Sequence, residues 1–437
     1  MYAYLMIIPA AVKVGVTFLA ILTANRLGLP LGLAILFSSI TLSFWAGMDG
    51  RDILNQLSSF QKPENYLLPV VIFLLLFFTE TLNRTGRIDQ ILEAMKSWLK
   101  NRRLLYVGLP ALVGLLPMPG GALFSAPLVD SVDSEKGIGG TLKAAVNYWF
   151  RHIWEYWWPL YPGVILAIRY SGLPFELFLI IQAPFTLAAL AGGYLFIMKK
   201  VKKSVAETVA GGNGPLPVSE LLYGSGPIIL LIVISIAGSV LLPFQGFSGS
   251  LASLLAMLAG LILATAMAFR GCGEAWKDTL KFLGKPHAWN MILLVISIQV
   301  FSAVLQYPLG ASGKTIVAVM RDEFVAYGIP IVLLIAVIPF ISGMATGVAF
   351  GFVGASFPIV FALIGENPGL HVAAAVTALA YASGYAGMML SPLHICYVVT
   401  CEYFQTTLWR TYRYIIGPTV IMIFSAIVLS IVYYHLF

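Results

Sequence analysis

Apolar runs of roughly 20 residues, the length that spans the hydrocarbon core of a bilayer, recur along the whole chain between short polar segments. Two apolar stretches, 104–130 and 329–362, are interrupted. Two long helices are broken by prolines or glycines, the helix at 141–169 at residues 157–162 and the helix at 371–400 at residues 383–387 and 391–394. The remaining runs predict uninterrupted helices at about 2–24, 29–47, 65–84, 173–198, 222–242, 249–269, 288–307 and 413–436.

Composition excludes a soluble domain. Hydrophobic residues make up 59% of the chain and charged residues only 10%, against about 25% charged residues in soluble domains. The net charge of +7 does not indicate a nucleic-acid partner, because Lys and Arg cluster in the short loops between apolar runs. We therefore expect a multi-pass protein of a bacterial or archaeal inner (plasma) membrane, surrounded by lipid and binding no nucleic acid.

The order of elements repeats, and so do short segments. Ser125-Ala-Pro-Leu-Val matches Ser356-Phe-Pro-Ile-Val, Pro159-Leu matches Pro392-Leu, and Pro184 falls opposite Pro418. The offset between matched segments stays nearly constant along the chain. This pattern predicts a duplication with a first repeat at 1–198, a cytoplasmic linker at 199–220 and a second repeat at 221–437.

Charge placement predicts the orientation of the repeats. If each interrupted stretch enters and leaves on one side, each repeat has five crossings and the second copy is inverted. Loops on the predicted cytoplasmic side then hold 19 of the 26 basic residues. The predicted outer loops hold only Arg51, Lys62, Arg169, Lys314 and Arg321. The predicted fold class is an all-α polytopic membrane protein with two inverted repeats, each containing a re-entrant hairpin and a broken helix.

The interrupted stretches contain candidate binding residues. Non-helical backbone inside a bilayer occurs where it lines a cavity or is packed in protein, and paired breaks point to a binding site. Free N–H groups at such tips suit an anion; a tight packed kink is the alternative. From the two non-helical tips expected at 116–121 and 341–347, and the segments beside them, we select Pro119, Gly120, Gly121, Ser125, Ser342, Gly343, Thr346 and Gly347.

The broken helices contribute polar and ionisable candidates. Asn147, Arg151 and Glu155 recur every four residues, which predicts one helix face. Arg151 would attract a carboxylate, while Glu155 or the nearby His152 handles a proton; an Arg151–Glu155 ion pair is the alternative. In the second broken helix, Ser383 and Ser391 join the binding set.

His394 is a third candidate for coupling, with a hydrogen-bonded core histidine as its alternative. Glu80, at a helix end, is expected to face solvent. The five histidines and three cysteines show no metal-ligand spacing, and no Gly-x-Ser-x-Gly element is present. We therefore predict neither a catalytic site nor a resident metal or cofactor.

Two segments resemble those of a known family: Leu116-Pro-Met-Pro-Gly-Gly-Ala-Leu-Phe-Ser-Ala-Pro and Leu390-Ser-Pro-Leu-His-Ile-Cys. They resemble an uncharacterised family of prokaryotic integral membrane proteins, a domain of unknown function within the ion-transporter superfamily. That resemblance implies two inverted repeats with re-entrant hairpins, a homodimer and an elevator mechanism.

Together these observations predict a secondary transporter of a small organic anion, coupled to H⁺ or Na⁺. A membrane subunit or scaffold of a larger complex, or an intramembrane enzyme, is the alternative.

Overall fold

The computed structural model describes residues 8–57, 62–98, 101–115, 121–132, 137–201, 217–309, 313–365 and 368–437. Before residue 202 the helices are α1 Ala10–Arg26, α2 Leu31–Trp45, α3 Gly50–Leu57, α4 Pro63–Arg84, α5 Arg87–Trp98, α6 Arg102–Val113, α7 Ala122–Val132, α8 Gly140–Arg151, α9 Pro162–Ser171, α10 Phe175–Gln182 and α11 Pro184–Phe196. After residue 216 they are α12 Val218–Leu241, α13 Gly249–Phe269, α14 Ala275–Leu280, α15 Pro286–Leu305, α16 Ile316–Ala326, α17 Ile331–Thr346, α18 Ala349–Leu363, α19 Leu370–Leu390, α20 Ile395–Tyr403 and α21 Leu408–Leu436.

The chain is a multi-pass membrane protein. Among the described residues, 7 helical segments are long and apolar enough to cross a bilayer, or 8 if the bent pair α16 and α17 counts as one span. The axes of this pair differ by 119°. The predicted arrangement of ten crossings with inverted copies stays a prediction.

The helix expected at 173–198 is present as one span, Phe175–Lys200, with a local irregularity at Ala183, just before Pro184. Two other local features differ from the prediction. Two short helices, α3 and α16, were not predicted. The all-α prediction also missed a two-stranded antiparallel hairpin in which β1 Pro308–Leu309 pairs with β2 Lys314–Thr315. The start of the first predicted helix and residues 202–216 of the linker lie outside the described residues.

The most buried span comprises α19 and α20. In the most apolar window of residues 370–403, 94% of the residues are buried, against 28% for α12 and α21, so most of the surface of those two helices is not covered by the rest of the chain. Glycines allow α17 to approach α19 closely. A Cβ at Gly343 would meet the carbonyl oxygen of Gly384, and one at Gly387 would meet that of Phe340.

Two basic side chains join segments that are distant in sequence. The Arg87 guanidinium, 2% exposed, donates to the carbonyl oxygens of Tyr223 at 2.6 Å and Arg270 at 3.0 Å. Lys285 Nζ lies 2.9 Å from Glu80 Oε1, which also pairs with Arg84.

The prediction that Glu80 faces solvent is wrong, because this carboxylate is only 16% exposed between two cations.

Candidate functional site

The break between α8 and α9 places charged groups in the protein interior. Helix α8 ends at Arg151, and residues 152–161 form turns before Pro162 starts α9. Arg151, His152 and Glu155 are 2%, 1% and 6% exposed. The prediction that Glu155 continues the face of Asn147 and Arg151 is wrong, since the helix ends between Arg151 and Glu155.

The second break is shorter than predicted. Helix α19 runs without interruption through Ser383, and only residues 391–394 separate it from α20. The predicted interruption at 383–387 is wrong, because the glycines there serve helix packing. Pro392, which has no N–H to continue a helix, and Ser391 form the actual break; the Ser391 hydroxyl donates to the carbonyl of Met344 at 2.7 Å.

The two breaks contact each other. The imidazole centroids of His152 and His394 lie 4.8 Å apart. One guanidinium nitrogen of Arg151, Nη1, lies 3.3 Å from both His152 Nε2 and Cys396 Sγ. Glu155 Oε1 is 3.9 Å from His152 Nε2. Residues from the two halves of the chain thus form one cluster, which we call the break cluster and define as Arg151, His152, Glu155, His394 and Cys396.

Tyrosines fix the backbone around the break cluster. Tyr385 donates to the carbonyl of His152 at 2.6 Å, and Tyr381 donates to that of Glu155 at 2.7 Å. Tyr148 donates to the carbonyl of Met389 at 3.0 Å, and its hydroxyl lies 3.2 Å from His394 Nδ1. Because turn carbonyls inside a bilayer need partners, these hydroxyls stabilise the non-helical segments.

Glycines bring both interrupted stretches against the break cluster. A Cβ on Gly121 would collide with the Arg151 guanidinium, so this tip residue lies directly on the cation. A Cβ on Gly347 would lie 2.9 Å from the backbone nitrogen of His394. Gly347 has φ +65°, a left-handed conformation that glycine adopts without strain. Pro119 and Gly120 lie outside the described residues.

Most of the predicted hydroxyl ligands are already hydrogen-bonded. Helix α17 continues to Thr346, so the prediction that 341–347 is wholly non-helical is wrong. Thr346 donates to the Ser342 carbonyl at 2.8 Å, and Ser125 donates to the Gly121 carbonyl at 3.4 Å. Ser342 and Ser383 are buried.

Asn147 keeps one free atom. Its Nδ2 donates to Thr400 Oγ1 at 3.0 Å, while its Oδ1 has no hydrogen-bond partner among the described residues.

Three potential metal ligands meet in the break cluster, although their spacing in sequence gave no signal. Ligand atoms of His152, His394 and Cys396 lie within 4.8 Å of one another. The Arg151 guanidinium contacts two of these three ligands. A metal cation would therefore lie beside a fixed positive charge, and the arrangement fits an anion better.

Sequence reasoning missed Cys396 and the three tyrosines. Cys396 shows no metal-ligand spacing in the sequence, and its contact with Arg151 joins residues far apart in the chain. The position of Tyr148, three residues before Arg151, offered a signal, because residues at that spacing lie on one side of a helix.

Comparisons with known proteins agree with a membrane fold of this kind. The model of the family described as "Protein of unknown function (DUF401)" matches residues 15–433. The chain is similar to the crystal structure of the YdaH transporter of Alcanivorax borkumensis, with a TM-score of 0.58 and 12% identity over 88% of this chain and 89% of that one. No curated protein matches the chain.

Proposed function

The chain belongs to this DUF401 family, and from that premise we propose that it is a secondary transporter of a small organic anion. The transport cycle is an elevator-type alternating access coupled to H⁺, with Na⁺ as the other candidate ion. The protein works as a homodimer in a prokaryotic inner membrane. The similar fold of a protein described as a transporter supports this proposal.

Two repeats, 1–198 and 221–437, are joined by the linker 199–220. Alternating access is a movement between these two repeats. Two equivalent contacts support the repeat. Gly114 packs on the carbonyl oxygen of Arg151, and Gly343 packs on that of Gly384. The two glycines are 229 residues apart and the two carbonyls 233, close to the offsets of 231 to 234 between the matched segments.

A reciprocal pair of hydrogen bonds supports a two-fold relation between the repeats. Tyr148 bonds to the carbonyl of Met389, and Tyr381, its equivalent 233 residues later, bonds to the carbonyl of Glu155, one residue before the exact counterpart of Met389. Reciprocal contacts of this kind are what a two-fold axis produces. Likewise α9 packs on α18, while α20 packs on α7. We propose that α6–α7 and α17–α18 are the two re-entrant hairpins.

The observation that carries the proposal is the buried Arg151 guanidinium between the two breaks. Arginine stays protonated in proteins, so its charge inside a bilayer marks a functional site. A carboxylate matches its planar donor geometry. The backbone at Pro119, Gly120, Gly121, Gly343 and Gly347, with Asn147, Ser125, Ser342, Thr346, Ser383 and Ser391, completes the proposed binding set.

Proton coupling would use the remaining ionisable groups of the break cluster. Glu155, His152 and His394 form a chain, with 3.9 Å between the first two side chains and 4.8 Å between the two imidazoles. Histidine changes charge near neutral pH and can therefore alternate between states in a transport cycle.

Thermal stabilisation of the purified protein by carboxylates tests this function. Mono-, di- and tricarboxylates are added at two pH values, with and without sodium, and hits are followed by flux into proteoliposomes. We expect a carboxylate that stabilises the parent to bind Arg151→Gln about a hundredfold more weakly or worse. The exposed Arg410→Gln is the matched control and keeps binding. Equal affinity in Arg151→Gln contradicts the proposal.

An intramembrane enzyme is the second candidate, because the Cys396 thiol, Arg151 and His152 lie together in the protein interior. Turnover of a lipid-soluble ester by the purified protein, lost in Cys396→Ser, favours this alternative. Flux that survives Cys396→Ser favours transport.

A further inference from the structure

A second polar region lies away from the break cluster. A cavity of about 1360 Å³ opens between the end of α9, the end of α15, the strands β1 and β2, and Gly365 and Pro368 near the start of α19. It exceeds the range of about 300–1,000 Å³ typical of small-molecule pockets. We call it the face cavity. Helix α9 separates it from the break cluster, since its 10 residues extend for about 15 Å from Pro162 to the cavity.

The face cavity is positively charged. Its lining includes Lys62, Arg169, Lys314 and Arg321, and none of the described lining residues carries a carboxylate. Two acidic groups near the rim offset part of this charge. Asp322 pairs with Lys314 at 2.7 Å, and Glu64 interacts with Arg169. The four cations are four of the five basic residues predicted for the outer loops, so one face concentrates nearly all of its positive charge here.

A buried amide faces this charge. Gln299 lines the cavity and is 8% exposed. Neither its Oε1 nor its Nε2 has a hydrogen-bond partner among the described residues. Ser302, on the same side of α15, and Gln306, directly after its end, also line the cavity, and Gln306 Nε2 donates to Ser302 Oγ at 3.3 Å. A stripe of polar side chains on a membrane helix costs free energy unless water or a ligand satisfies it.

We infer that the face cavity is a second anion-binding site, which takes a polyvalent organic anion carrying a neutral hydrogen-bonding group. The cations supply long-range attraction to the charged groups. The buried Gln299 supplies a donor and an acceptor on the cavity lining. In a transporter, the face cavity would collect substrate before it is transported. This use rests on the proposed transport function, whereas the binding of an anion to the cavity does not.

Calorimetric titration of the full-length protein with citrate, succinate and acetate tests this inference. In the parent we expect affinity to fall from citrate to acetate and to fall with rising ionic strength. Gln299→Leu should weaken citrate binding about tenfold through loss of a hydrogen bond, and Arg169→Gln about fivefold through loss of a partly exposed charge. Arg321→Glu, on the exposed rim, should weaken it without affecting folding. Lys277→Gln, an exposed cation outside the cavity, is the control.

The outcomes separate this site from the break cluster. Citrate binding that survives Arg151→Gln but falls in the cavity variants supports the second site even if transport is absent. Citrate binding that is lost only in Arg151→Gln overturns the second site and leaves the proposed function intact. Absence of binding for all three probes at low ionic strength, or equal affinity in the three cavity variants, also overturns it.

Discussion

The broken helix α8–α9 carries charge at its break, whereas the broken helix α19–α20 carries almost none. The first break covers 152–161 and the second only 391–394. At the repeat offset that relates Tyr148 to Tyr381, Gly384 stands opposite Arg151 and Tyr385 opposite His152. The two regions share packing contacts, whereas the buried charged side chains lie at the first break.

Among these variants, the largest effect on proton-driven anion accumulation should come from removing a titratable group at the first break. In His152→Gln we expect a proton gradient no longer to drive anion accumulation in proteoliposomes, while exchange of anion across the membrane persists. Tyr385→Phe removes a hydrogen bond to the His152 carbonyl and keeps all titratable groups of the break cluster, so accumulation should persist. Accumulation that survives in His152→Gln but not in Tyr385→Phe contradicts the proposed asymmetry.

Substitutions at the two packing glycines, Gly114 and Gly343, should change stability by similar amounts. Gly114→Ala and Gly343→Ala each place a methyl group against a backbone carbonyl, so each should lower the free energy of unfolding by about 2 kcal/mol. The matched control is Gly15→Ala in α1, where no heavy atom lies within 4 Å of the added methyl group. It should raise stability by about 0.5 kcal/mol. Denaturant titration in detergent measures all three.

If only one of these two packing variants loses stability, the contacts are not equivalent. That result leaves the break cluster unaffected but removes a main support of the repeat.

The reciprocal tyrosines should contribute similar amounts. Tyr148→Phe and Tyr381→Phe each remove one bond to a buried carbonyl and should cost about 1 kcal/mol. Tyr148 also contacts His394, so its loss should be the larger of the two. Tyr434→Phe, at a half-exposed site, should change little. A loss confined to Tyr381→Phe contradicts the two-fold relation.

The smallest effect concerns a contact between α3 and the segment after α15. Tyr307 donates a hydrogen bond to Asp52, which lowers the pKa of that carboxyl below its usual range. A lowered pKa contributes stability above the unfolded value of about 3.9, and this contribution is lost as pH falls through the lower folded value. The melting temperature of Tyr307→Phe should be slightly below that of the parent at neutral pH, and the difference should vanish in acid. A constant difference across this pH range indicates another cause.

The sequence predicted most helices because a membrane leaves a strong periodic and compositional signal. It failed where local signals were ambiguous. Gly343 and Gly387 indicated interruptions but lie within helices, since a neighbouring helix occupies the space that a side chain would take. The short helix α3 lies in a polar segment that hydrophobicity does not mark.

The break cluster was only partly predictable. Arg151, His152 and Glu155 were found because charge in an apolar run is conspicuous. Cys396 and Tyr385 lie in the other half of the chain and were missed as contacts of these groups. The match of a repeat indicates which segments correspond, but it does not give the depth or the rotation at which they meet.

The bonds made by Arg87 have a consequence for sequence variation. This side chain binds main-chain oxygens of Tyr223 and Arg270, and every residue type offers such an oxygen. The ring of Tyr223, 3.7 Å from the guanidinium carbon, adds a contact that does depend on residue identity. Position 270 is therefore free to mutate as far as this junction is concerned, whereas position 87 tolerates little change. If every substitution is made at positions 87 and 270, most changes at position 87 should destabilise the protein, whereas most changes at position 270 should be tolerated.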